Sequence, residues 1–189
     1  MPLPKIATPS YELELPSTGE TIKYRPFLVK EEKALLIAQQ SEDPDTMIET
    51  LKFIIESCIM DKININDLAI FDVEYIFTQL RAKSVGEIVD IVLKCDTCED
   101  DKAKIKYSID LTKVKVEVPK DHQKTILLFN DVGVIMKYPT IDSFSQNEIQ
   151  DVSTENMLEI IIACIDHIYD KNGEEVFDAK DSTKKELME

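Results

Sequence analysis

The chain has 189 residues, 43% of them hydrophobic, with 37 acidic residues against 22 basic ones and a formal net charge of −15. That length and apolar content suffice for a buried core and exclude an acidic disordered chain. The charge speaks against nucleic acid, whose phosphates require a basic face, and against an anionic membrane surface. It suits a soluble protein with a basic protein partner.

The first ten residues hold three prolines and read as an extended arm. The opening MPLPKIATPSYE has no basic segment followed by an apolar one, so it is not a secretory leader. No apolar run reaches the length that spans a bilayer. Four cysteines without a leader read as reduced thiols.

YELELPSTGETIKYRPF gives two β-like runs around Ser17-Thr18-Gly19, a hairpin over residues 11–26. Three helices are predicted across 29–84. VKEEKALLIAQQ sets Ala34, Leu35, Ile37 and Ala38 on one face. The next helix starts after Pro44, with Met47, Leu51, Ile54, Ile55 and Cys58 at helical spacing. NDLAIFDVEYIFTQLRAK spaces Leu68, Phe71, Tyr75, Ile76 and Leu80 similarly, with Gly86 just past its end.

The period then shortens to two. EIVDIVLKC, AKIKYSIDL, TKVKVEV, TILLFN and GVIMKYP form an antiparallel β-block over 85–139. Ile105, Tyr107 and Ile109 share one face, and Val114, Val116 and Val118 are expected to point inward. TENMLEIIIACIDHIYD, over 153–170, reads as a helix apolar on most of its circumference and therefore buried. Residues 182–189 start a helix that is cut short. The expected fold is α+β: a single domain over 11–181, with a helical layer of three N-terminal helices plus the buried C-terminal one packed on a mostly antiparallel sheet carrying a Cys-x-x-Cys hairpin.

That hairpin tip, KCDTCEDD, is the one local motif suggestive of chemistry. Zinc takes four ligands, and Cys95 and Cys98 supply two. No second pair follows at ribbon spacing, and the acidic surroundings raise thiol pKa values. Plain turn cysteines, a metal site completed by remote or partner ligands, and a redox pair all stay open. Cys58 and Cys164 lie in apolar patterns and read as core. His122 reads as an exposed loop residue and His167 as a cation suited to a helix end. Neither a Gly-x-Ser-x-Gly nor a His-Glu-x-x-His motif occurs.

More distinctive are IKYRPFLVKEEKALL and FDVEYIFTQLRAKSVGE, where aromatics keep company with basic residues in an acidic chain. Tyr24, Arg25, Phe27, Arg81 and Lys83 are candidates for a protein-binding surface, a composition favoured at interface hot spots. The competing structural reading puts the aromatics in the core and the basic groups at a helix end.

These stretches, together with LKCDTC and GVIMKYP, resemble in order the T4-type bacteriophage baseplate proteins that act in assembling the central hub of the contractile tail. The resemblance runs from about Tyr24 to about Tyr169. It implies a non-enzymatic role among other baseplate hub and tail proteins, without nucleic acid or membrane. It places the protein in the host cytoplasm during assembly, with the virion baseplate as a second location. Members of the group continue with a further helical segment. No cofactor is implied, zinc at Cys95 and Cys98 being the one candidate. The alternatives are a zinc-stabilised binding module unrelated to the virion and a thiol-based enzyme.

Overall fold

A computed structural model describes residues 8–41, 43–94, 104–128, 132–141, 154–169 and 176–178. The described chain is α+β, and it divides into two compact units where the sequence reads as one domain. One comprises the residues up to Ile65 and Phe71–Val116; the other comprises Asn66–Ile70 and the residues from Glu117 onward.

The first unit opens with a hairpin of β1 (Tyr11–Glu14) and β2 (Thr21–Tyr24), paired from Tyr11↔Tyr24 to Glu14↔Thr21. Its turn closes through Gly19, whose N–H donates to the Leu15 carbonyl at 2.8 Å and whose φ is +73°. That left-handed backbone is the region glycine enters without steric cost. Three helices follow: α1 (Val29–Ser41), α2 (Pro44–Cys58) and α3 (Ile70–Ser84). Asp43 caps α2, accepting from the Thr46 N–H at 3.0 Å, and Pro44 occupies the first turn, where a missing donor costs nothing. The core joins Leu13, Leu15 and Ile22 of the hairpin segment to Ile54, Ile55 and Cys58 of α2 and Val73, Ile76 and Leu80 of α3. β3 (Ile88–Lys94) and β4 (Lys104–Asp110) then form a separate antiparallel ribbon.

The second unit holds a four-stranded antiparallel sheet in the order β5–β6–β7–β8. Its strands are β5 (Thr125–Leu127), β6 (Gly133–Met136), β7 (Ile165–Tyr169) and β8 (Val176–Asp178), with α4 (Thr154–Ala163) leading into β7. Ala69 bridges Thr140, and the Ile70 N–H donates to the Pro139 carbonyl at 2.9 Å. Gly133 lies in register with Tyr169, whose ring occupies the place a β-carbon would need.

Several expectations are corrected. The described strands make three antiparallel sheets of two, two and four strands where the sequence reading has a single sheet. The helix expected over 153–170 stops at Ala163, and Ile165–Tyr169 is a strand. An apolar run rich in isoleucine fits either period, and pairing with β6 and β8 on both sides satisfies its backbone as a strand. Of the α4 side chains that are described, Leu158 and Ile161 are about half exposed, where the sequence predicts burial. TKVKVEV forms no strand. A single 3-10 turn occupies Leu111–Lys113, no described strand pairs with the residues after it, and Val114, Val116 and Val118 are exposed. Alternation alone makes no strand without a partner to accept its hydrogen bonds. The N-terminal arm up to residue 7 and the C-terminal residues 182–189 lie outside the described residues.

Gly133→Ala is expected to lower stability by about 1–3 kcal/mol through forced displacement of the Tyr169 ring. Chemical denaturation with tyrosine fluorescence measures it, and pairing the change with Tyr169→Ser should recover part of the loss.

Candidate functional site

The five residues proposed from sequence for a partner surface separate into two groups. Tyr24 and Phe27 are buried, and Arg25 keeps only 17% of its side chain exposed. They belong to the interior because the segment between β2 and α1 is clamped from several directions. The Tyr24 backbone bridges Ile59, the Arg25 N–H donates to the Cys58 carbonyl at 2.9 Å, and the Met60 N–H donates to the Lys23 carbonyl at 2.8 Å. The end of α2 is thereby stitched onto β2.

Arg25 itself is the hub of this region. Its Nη2 lies 2.9 Å from Glu31 Oε1 and donates to the Ser57 carbonyl at 2.7 Å, while Nη1 donates to the Pro26 carbonyl at 2.9 Å. The Glu31 side chain is wholly buried, and its other oxygen accepts from the Leu28 N–H at 2.8 Å. That bond satisfies a donor at the start of α1, the carboxylate half of a capping box. Burial pushes the Glu31 pKa up, but Arg25, the Leu28 N–H and Lys30 outweigh it and hold the carboxyl below its ordinary 4.5. A planar, permanently charged guanidinium with five donors can serve all these acceptors at once, which an ammonium cannot.

A second buried carboxylate secures the other end of the hairpin. Asp72, in the first turn of α3, accepts from the Ser17 N–H at 3.0 Å and from the Ser17 hydroxyl. At the far end of α3, Ser84 Oγ accepts from the Phe27 N–H at 3.0 Å. The hairpin segment is thus held at both ends of one helix. Neither Glu31 nor Asp72 was reached from the sequence. Their only signal is an acidic residue in the first turn of a helix, which normally faces water.

Arg81 and Lys83, the other group, sit at the end of α3 with part of their surface free. Arg81 Nη1 donates to the Gly86 carbonyl at 3.1 Å. Lys83 Nζ lies 2.6 Å from Glu87 Oε1 and 5.5 Å from the centre of the Tyr11 ring. The hydrogen bond to Glu87 raises the Lys83 pKa. Both are cations in the last turn of α3, where positive charge suits the helix dipole.

Cys95 and Cys98 lie outside the described residues. Among the described residues, no group of three or more His, Cys, Asp or Glu is arranged to hold a metal ion. Cys58 and Cys164 are buried free thiols, and burial pushes Cys58 up to about 11 despite the nearby Arg25. His122 is exposed, with Nε2 2.9 Å from the Tyr138 hydroxyl and its ring stacked on that ring at 5.6 Å. His167 is in β7, not at a helix end, with Nδ1 2.8 Å from Asp166 Oδ2. The three buried polar side chains among the described residues all serve the fold: Glu31 and Asp72 as above, and Gln79 through the Leu111 carbonyl at 3.3 Å. Ala34, Thr46, Glu49 and Phe53 line an open groove of about 400 Å3 beside Asp43 and Asp45. No described helix is long and apolar enough to cross a membrane.

Beside its charged groups, the surface carries large apolar side chains. Leu36, Ile37 and Phe53 on α1 and α2, Val92, Leu93, Ile105 and Tyr107 on the ribbon, and Leu127 and Leu128 at β5 are all exposed.

Arg25→Met strands a buried carboxylate and is expected to cost about 3–5 kcal/mol in urea melts at pH 7. Adding Glu31→Met should recover part of this. Because the folded Glu31 pKa lies below 4.5, its contribution is complete above that pH and is lost as pH falls through the folded value. Glu31→Gln should flatten that acid slope. Native Cys58 should resist alkylation at pH 8 and react only on unfolding, as read by peptide mapping.

No curated protein and no solved structure gives a significant match to the chain. The family model described as T4 bacteriophage base plate protein matches residues 8–189. Nearly the whole chain therefore falls within that family, and the protein is a phage baseplate protein of the T4 type.

Proposed function

We propose that this protein acts without catalysing a reaction, as a builder of the baseplate's central hub through contacts with other hub and tail proteins of its phage. The carrying observation is the division between inside and outside. Arg25, Glu31 and Asp72, which could have supplied charge chemistry, are consumed in holding the hairpin to the helices. Large apolar side chains on α1, α2, the ribbon and β5 are left in water. A monomer gains nothing from that arrangement, whereas an assembling subunit gains contact area. The net charge of −15 opposes self-association and steers a basic neighbour. Assembly takes place in the host cytoplasm, and the completed baseplate is the destination. Within this reading the end of α3, with Arg81 and Lys83, meets a partner. Tyr24, Arg25 and Phe27 support that surface from behind.

Native mass spectrometry of the protein purified from co-expression with the other baseplate proteins tests the reading. A complex of defined stoichiometry is expected, and the same spectrum reads whether zinc travels with Cys95 and Cys98. A monomer with no companion would overturn the docking role. Arg81→Glu, with circular dichroism unchanged, is expected to weaken the complex by roughly fivefold or more. Unchanged binding would remove the end of α3 from the interface.

A further inference from the structure

The β3–β4 ribbon has a face made only of apolar side chains. The register sets Val89 opposite Ile109, Ile91 opposite Tyr107 and Leu93 opposite Ile105. The half toward the hairpin tip is in water: Leu93 is 51% exposed, Tyr107 58% and Ile105 67%. The reverse face is mixed. Ser108 Oγ donates to Asp90 Oδ1 at 2.5 Å, Val92 is 57% exposed, and Lys104 and Lys106 are exposed beside it. Among the described residues neither lysine has an ion pair and no third strand joins the ribbon. A two-stranded ribbon is marginal in water by itself, and seven-residue edges with apolar side chains invite a partner.

We propose that this ribbon is a tongue which a second baseplate protein encloses, with an apolar wall against Leu93, Ile105 and Tyr107 and a carboxylate-bearing wall against Lys104 and Lys106. The inference rests on the docking role given above. The charge distribution selects the occupant. The chain is strongly acidic, and Lys104 and Lys106 stand exposed on one ribbon face without an ion pair among the described residues, on the same face as Asp90 and Asp110; an acidic wall complements the lysine-bearing part of that face. A second copy is disfavoured because two chains of −15 repel.

The test uses the full chain co-expressed with the other baseplate proteins, followed by affinity measurement on the captured complex at two salt concentrations. Leu93→Asn with Ile105→Asn should weaken it roughly tenfold or more. Lys104→Gln with Lys106→Gln should weaken it severalfold and abolish most of the salt dependence. Circular dichroism checks the fold of each variant. If either misfolds, amide exchange on the wild-type complex decides, with slowed exchange across Val89–Leu93 and Ile105–Ile109 expected on binding. A complex that forms with unchanged affinity and no such protection overturns the tongue while leaving the docking role intact. A wild-type chain that captures no partner overturns the docking role and the tongue with it. A ribbon-dependent homodimer overturns the choice of occupant.

Discussion

The buried pair of Arg25 and Glu31 is the constraint on which the first unit depends. Taking two charges out of water is costly, and the expense is met only because every acceptor around them is used. Glu31 starts α1, Arg25 closes the end of α2 through the Ser57 carbonyl, and the backbone of the same residue holds Cys58. One guanidinium therefore sets where two helices stand relative to the hairpin. A hydrophobic pair could supply comparable stability, but not that set of directions. Asp72 and Ser84 extend the same logic along α3, so the hairpin segment is fixed by polar contacts at its turn and just beyond its second strand.

Much of the architecture was legible because its residues obey a single period. The hairpin at Tyr11–Tyr24, the three helices and the β3–β4 and β5–β6 pairings all follow from alternation or helical spacing bounded by proline and glycine. The misreadings share a cause. Ile160–Tyr169 is apolar at both periods, and only β6 and β8, distant in sequence, decide that its second half is a strand. Val114–Val118 has the pattern of a strand and lacks the partner. The same limit applies to the site. Tyr24, Arg25 and Phe27 stood out by composition, but sequence could not tell a basic residue that meets another protein from one that meets Glu31. The family resemblance read from those stretches holds over nearly the whole chain, and its strongest residues turn out to include the interior clamp.

Among the described residues, polarity divides between a bonded interior and a partly apolar exterior. Carboxylates are buried where they bond to main-chain donors and to one arginine, and the buried thiol at Cys58 is pushed away from ionisation. Leucine, isoleucine, phenylalanine and tyrosine side chains stand in water on the helices and the ribbon. Contact with neighbouring proteins, as proposed above, would cover these side chains.

The short stretch Asn66–Ile70 interrupts the first unit in sequence while belonging to the second. Its partners lie 69 and 71 residues further on, Pro139 for Ile70 and Thr140 for Ala69. At about 5–20 residues per second, a ribosome needs several seconds to deliver them after Ile70. The second unit therefore closes around residues made long before it. Its assembly is a capture of an early segment by a late one, which gives the protein a direction in time as well as in space.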